Sequence, residues 1–323
     1  MRKMRLLRRL TVGMVLALPI AALPQDFPSR PIRMVVPFPP GGVDVTGRLI
    51  STKMTELIGQ PVVLENRGGA NGMIGSEFVA HAPADGYTIL MTTPSTHITA
   101  VFLSKNVPYD PVKDFTPIVC ALEPATVLIV PPSLPVDSVK DLIGYARKNP
   151  GKVSYSSSGI GSVFHLMGEA FAEAADVNIV HVPYKGTGPA LADVVAGRIE
   201  MSFNALSTVR PQMAGGKVKV LAVAEGKRYA GLPNTPTVGE QLPGFEKPQS
   251  WFGFFGPAGL PRPITLRLNT EIMKAVNSPD VRARLDEGAL SIVGGSPEDF
   301  AALMKKGFQV YGKIVKAAGL KPE

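Results

Sequence analysis

From residue 32 to residue 44 the chain reads Ile32-Arg33-Met34-Val35-Val36-Pro37-Phe38-Pro39-Pro40-Gly41-Gly42-Val43-Asp44. The first five residues form a short apolar strand and the Pro/Gly run a turn. From 45 to 57 apolar residues recur at helical spacing. Residues 61–64 read as the next strand, and 87–91 as another after the Asp85-Gly86 turn. Strand, turn, helix and strand in this order predict an α/β protein whose parallel sheets are covered on both faces.

The rhythm repeats further along the chain. A strand at 127–130, a helix at 138–148, a strand at 153–155, a helix at 162–175 and a strand at 178–182 precede a helix at 189–196. Strands at 200–203 and 219–224 follow. After a strand at 251–255 the sequence predicts covering helices at 265–276, 279–287 and 297–318. Ser278-Pro279 and Ser296-Pro297 place Ser at N-cap and Pro at the first helical position of the last two. A chain of this length exceeds what one core supports, so two α/β lobes are expected.

Arg2, Lys3, Arg5, Arg8 and Arg9 precede an uncharged apolar run at 10–23, the pattern of a secretory signal, so 1–23 is expected to be a removable leader. The run falls short of the roughly 20 apolar residues of a membrane span, and no later segment supplies them. The formal net charge of +8 drops to about +3 once the five leader cations are gone. The remaining Lys and Arg are scattered without interleaved aromatics, which argues against a nucleic-acid partner. The single cysteine, Cys120, has no intramolecular disulfide partner and is expected as a buried small hydrophobe.

Three loops carry candidate chemistry, each following a strand. The 37–44 loop brings Phe38, Gly41, Gly42 and Asp44 to a helix start, where backbone N–H groups and the helix dipole favour an anion. The same loop also suits an ordinary strand-to-helix turn. In Ser156-Ser157-Ser158-Gly159-Ile160-Gly161-Ser162 four hydroxyls and two glycines surround another helix start. The 92–97 loop adds Thr93 and Ser95. Neither G-x-G-x-x-G nor G-x-x-x-x-G-K-[ST] occurs, so no nucleotide cofactor is expected. Ser162 and His165 lie i to i+3 on one helix, which does not make a nucleophile and base. A G-x-S-x-G elbow is absent. His81, His97, His165 and His181 show no metal-ligand spacing. His165 suits either a site or a hydrogen-bonded helix position, and His181 reads as structural.

Further stretches carry a family likeness. Ser29-Arg30-Pro31-Ile32-Arg33, Glu65-Asn66-Arg67, Pro83-Ala84-Asp85-Gly86-Tyr87-Thr88, Tyr109-Asp110-Pro111-Val112-Lys113-Asp114-Phe115, Val182-Pro183-Tyr184-Lys185-Gly186 and Trp251-Phe252-Gly253, in this order, resemble the Bug family of extracytoplasmic solute receptors. The resemblance covers nearly the whole chain after the leader. It implies a type II periplasmic-binding-protein fold: two doubly wound lobes joined by two crossing strands, with 27–119 plus 230–323 as one lobe and 120–229 as the other. It implies a monomer of the periplasm that is not an enzyme and captures a small organic carboxylate for a tripartite tricarboxylate transporter, whose membrane subunits are its partners. Backbone amides and water from 38–44 and 157–162 would hold the carboxylate. The ligand contacts expected on this basis are Phe38, Gly41, Gly42, Asp44, Thr93, Ser95, Ser157, Gly159, Ser162, His165, Tyr184 and Asn204. Two departures stand out. The family usually has one more residue between the glycine pair and Arg48, which bears on Asp44, and Asn204 stands where Asp is common. The alternatives are a ligand-sensing partner of a membrane sensor, or a periplasmic enzyme acting on a carboxylate. The enzyme should carry a nucleophile and base or a metal set.

Overall fold

The computed structural model describes residues 27–322, so the leader expected at 1–23 lies outside the described residues. In chain order the elements are β1 (Ile32–Val36), α1 (Gly42–Ile58), β2 (Val62–Asn66), a 3-10 turn at Ala70–Gly72, α2 (Met73–Ala80), β3 (Thr88–Thr92), a π-turn at Ser95–Thr99, α3 (Ala100–Leu103) and β4 (Phe115–Pro124). Then come β5 (Thr126–Val130), α4 (Val139–Lys148), β6 (Val153–Ser157), α5 (Val163–Ala175), β7 (Ile179–Pro183), α6 (Thr187–Val195), β8 (Met201–Ala205), α7 (Leu206–Ala214) and β9 (Lys219–Val223). The chain ends with α8 (Val238–Gln241), β10 (Phe252–Pro257), α9 (Arg262–Asn277), α10 (Pro279–Glu287), β11 (Leu290–Ile292) and α11 (Pro297–Ala317).

Two sheets result, one ordered β11-β4-β10-β3-β1-β2 and the other β7-β6-β8-β5-β9. Both are buried on both faces, as the continuous apolar strands require. In β1, Ile32, Met34 and Val36 enter the core beneath α1 and α9, while Val35 points into the core on the other face with α11. In β5, Leu128 and Val130 pack with α4 and α5, and Val127 and Ile129 with α6 and α7. This is the period-2 alternation of a strand sandwiched between helix layers.

The sheets are mixed, a correction to the all-parallel expectation. β2, β1 and β3 pair in parallel, but β10 runs antiparallel to β3 and β4, and β11 antiparallel to β4. β7, β6 and β8 pair in parallel, but β5 opposes β8 and β9. The reason is the crossing of the chain between sheets. β4 leaves the first sheet at Pro124 and β5 enters the second at Thr126. β9 leaves the second at Val223, and the chain returns as β10 at Phe252. A strand that ends at the junction keeps the parallel sense, and one that starts there must run away from it.

Helix boundaries follow local chemistry. Gly59 closes α1 in the left-handed conformation, φ 75°, with its N–H on the Thr55 carbonyl at 3.0 Å. Ser138 and Ser162 cap α4 and α5 through their side chains, and Ser296 forms a capping box with Asp299. Ser278 differs from expectation. Its hydroxyl donates back to the Lys274 carbonyl at 2.9 Å, closing α9 and leaving α10 without a side-chain cap. Cys120 is buried, and burial pushes its thiol up to about 12.

Candidate functional site

Because the parallel strands of both sheets end at the junction, their following helices begin there, and a ligand crevice outside the carboxyl ends of the strands is the physical consequence. A cavity of about 590 Å³ occupies this place. Gly42 at the start of α1, Ser162 and Val163 at α5, Thr187 at α6 and Ala205 before α7 all line it, so four helix N-termini converge on one space. Each presents unpaired N–H groups carrying partial positive charge. The remaining wall comes from both chain crossings, at Pro124 and Thr126 and at residues 249–252, together with Leu290 and Tyr311.

Among the described residues, none that lines the cavity is charged. Thr46, Thr93, Ser95, Thr99, Ser207, Thr208 and Ser250 supply hydroxyls, while Val45, Phe164, Trp251 and Phe252 supply apolar wall. Such a surface can donate hydrogen bonds to an anion from fixed dipoles without burying a side-chain cation.

Of the residues expected from sequence, Gly42, Thr93, Ser95 and Ser162 stand on this wall. The Thr93 and Ser95 hydroxyls lie 2.8 Å apart. The other eight do not line the cavity. Phe38 packs on the first core, and its carbonyl accepts from Asn66 Nδ2 at 3.1 Å. The Gly41 carbonyl accepts the Val45 N–H at 2.8 Å, starting α1. Asp44 is buried and held by Arg48 one turn on, with Oδ1 3.0 Å from Nη2, while Arg48 also reaches Asn66 Oδ1 at 2.9 Å.

Ser157 and Gly159, within the Ser/Gly loop, and His165, behind it, stand off the cavity wall. Ser157 Oγ is 2.7 Å from His181 Nε2 and bonds to both polar groups of the Gly159 backbone. His165 Nδ1 accepts the Gly161 N–H at 3.0 Å. Its ring stacks on His181 at 3.8 Å and 9°. Burial, then the neighbouring His165, brings His181 down to about 4. Tyr184 donates to Asp193 at 2.5 Å, away from the wall. Asn204 sits on β8 beneath the cavity, with both amide atoms buried and unpartnered.

Sequence reading missed Thr46, Thr126, Gln249, Trp251 and Tyr311 on the wall. A signal for Thr46 exists, since it lies in the first turns of a helix already singled out. None exists for Tyr311, whose hydroxyl bonds to the Gln249 carbonyl across 62 residues of chain.

Where the two crossings meet, Lys247 is nearly buried between Glu123 at 2.7 Å and Glu225 at 2.9 Å, and Glu225 also accepts the Thr126 N–H. Burial opposes the Lys247 charge, and the two carboxylates outweigh it, raising its pKa. Among the described residues, no group of three or more His, Cys, Asp or Glu could hold a metal ion, and no helix is long and apolar enough to cross a membrane.

Comparison with known proteins places this geometry. The pattern described as tripartite tricarboxylate transporter family receptor matches residues 46–320. A UPF0065 protein from the tcbD-tcbE intergenic region of a Pseudomonas species is 42% identical over 315 residues, covering 95% of this chain and 93% of that protein. The structure of Rpa4515 of R. palustris with adipate shares 38% identity, with a TM-score of 0.79, and covers 92% of this chain and all of that one. The periplasmic binding protein BugD shares 34% identity, with a TM-score of 0.74, over 92% of this chain and 100% of its own.

Proposed function

The chain belongs to the tripartite tricarboxylate transporter family of periplasmic solute-binding receptors, and on that premise we propose that its cleft captures a small organic carboxylate and passes it unchanged to membrane transporter subunits. The carrying observation is the charge-free cavity onto which four helix N-termini converge. Two such ends, α1 from one sheet's layer and α5 from the other's, suit a carboxylate lying between them. Among the described residues, a cation would meet no acidic side chain on the wall. The adipate bound to the R. palustris relative supports the same class.

In this reading residues 1–23 are the export leader, 27–119 with 230–323 form one lobe, and 120–229 form the other. Ligand differential affinity for the closed arrangement drives the lobes together. In this reading the protein performs no catalysis, in keeping with its membership of a family of solute-binding receptors.

The test is a matched pair in calorimetry, adipate against adipamide. Adipate should bind at least about tenfold more tightly, corresponding to 1.4 kcal/mol. Equal affinity would show that the cleft does not recognise a carboxylate. Prolonged incubation with adipate followed by mass analysis should return it unaltered. Cell fractionation should find a shortened chain in the periplasmic fraction.

A further inference from the structure

The Ser/Gly loop is held to the chain after β7 by the Gly186 N–H on the Ser158 carbonyl at 3.2 Å, and within itself by the Ser162 N–H on the Gly159 carbonyl at 3.2 Å. Gly159 at φ 135° and Gly161 at φ 75° adopt conformations that other residues rarely visit, and Gly161 and Ser162 reach the cavity wall. Two imidazoles support the loop from behind, through Gly161 N–H to His165 Nδ1 at 3.0 Å and Ser157 Oγ to His181 Nε2 at 2.7 Å.

A backbone N–H can only donate, so His165 Nδ1 must be unprotonated and the ring proton must sit on Nε2. That nitrogen faces Glu169 Oε1 at 3.6 Å. A second proton has one place to go, Nδ1, where it would set N–H against N–H and release Gly161. With the rings 3.8 Å apart and nearly parallel, a doubly charged pair is also disfavoured. We propose that the stacked His165 and His181 are positioning residues that keep the 157–162 loop ready for ligand only while both rings are neutral, so that acid weakens capture.

The surroundings leave few other titrating groups facing the pair. β6 brings Tyr155, whose ring stacks on His181 at 4.9 Å and whose hydroxyl donates to Glu169. α5 itself brings Glu169, and β8 (Met201–Ala205) carries no titratable side chain. From α11, Ile314 and Val315 share a core with Leu166 and Ala170 of α5, while Lys313 turns to Glu246 at 3.3 Å. On α6, Asp193 is engaged by Tyr184 and Arg198.

The proposal rests on the carboxylate-receptor reading for its consequence but not for its structural core, so the experiment has two arms. In the first, without ligand, ¹⁵N NMR follows the Gly161 amide and both imidazoles from about pH 7.5 downward. The Gly161 amide should shift with the same midpoint as the His165 ring. In the second, adipate affinity is measured at about pH 7.5 and pH 5 for the wild type, His165→Asn and His165→Leu. Asn offers a permanent acceptor, so its affinity should exceed that of His165→Leu at high pH and fall less than the wild type's on acidification. The difference should be about tenfold, the order of one hydrogen bond. The ligand's own titration is common to both proteins and cancels in their ratio. His165→Leu should be weak at both pH values. A Gly161 amide that ignores the His165 titration, or an Asn variant with the full acid loss of the wild type, overturns the proposal. Failure of adipate to bind at all sinks the ligand reading, and the NMR arm still decides the support.

Discussion

His97 gives the sharpest number for acid stability. Its ring is fully buried, stacked on Phe255 at 4.2 Å and within 4.5 Å of Phe115, with Nδ1 2.8 Å from Thr96 Oγ1 and Nε2 unpartnered. Burial lowers its pKa from 6.5 to about 3. Native His97 therefore stays neutral while the unfolded chain takes up a proton below 6.5, so stability is lost as pH falls through that window. At 1.36 kcal/mol per unit, the loss is roughly 2 kcal/mol by pH 5 and about 4 kcal/mol by pH 3. His97→Phe keeps the aromatic packing, at a fixed cost for the lost Thr96 bond, and cannot titrate. Urea unfolding of both proteins at pH 7, 5 and 4 should show the wild type losing about 2–3 kcal/mol more than the variant. Carboxylates and His181 contribute equally to both and drop out. Parallel pH profiles would refute the claim that a buried neutral imidazole at this position taxes acid stability.

Three further outcomes follow from the same structure. Lys247→Met strands Glu123 and Glu225 beside each other and should destabilise by about 3–5 kcal/mol in urea unfolding, with Glu225→Gln in the same chain recovering part of it. Ser162→Ala removes the α5 cap and should cost about 1 kcal/mol, whereas Ser162→Asp should restore stability yet weaken adipate binding in calorimetry by placing a carboxylate on the wall. Gly159→Val forces a branched side chain at φ 135° with Cβ 3.4 Å from the Tyr184 carbonyl; it should abolish adipate binding while circular dichroism shows a folded protein.

Strand–turn–helix units were readable from residue order because period and punctuation are local. β1, α1, β3 and α5 fall within a few residues of their expected places. β4 was not read as a strand, only 127–130 being expected there, since Thr116, Pro117, Glu123 and Pro124 break the apolar pattern ahead of β5. α7 hides behind its interior Pro211, and α2 behind glycines at 72 and 75. Strand direction was out of reach because pairing is non-local. The site divides in the same way. Gly42, Thr93, Ser95 and Ser162 sit on or at the end of loops that follow strands, the positions that sequence marks, whereas Gln249 and Trp251 are brought in by a chain crossing and Tyr311 by α11. Ser157, in the Ser/Gly loop, and His165, behind it, were expected from the family likeness together with their polar chemistry, yet neither lines the cavity. Nothing in a linear pattern says whether a polar side chain faces the cleft or props up the wall.

The placement of charge follows from what a cleft of this kind must do. To move a receptor from nearly all open to nearly all closed, a ligand must favour the closed form by about 5.5 kcal/mol. Three helix ends, α5, α6 and α7, lie on one side of the cavity, and α1 with Thr93 and Ser95 lies on the other. A carboxylate docked on the three-end side gains, on closure, one more helix end worth up to ~2 kcal/mol and a pair of hydroxyl bonds at about 1.5–3 kcal/mol each. That sum reaches the requirement without an arginine, whose desolvation would burden the closed state and slow release. The nearly buried Lys247 stands instead beside Glu225 and the half-buried Glu123 where both chain crossings meet, and the mutual attraction of these groups ties one crossing to the other.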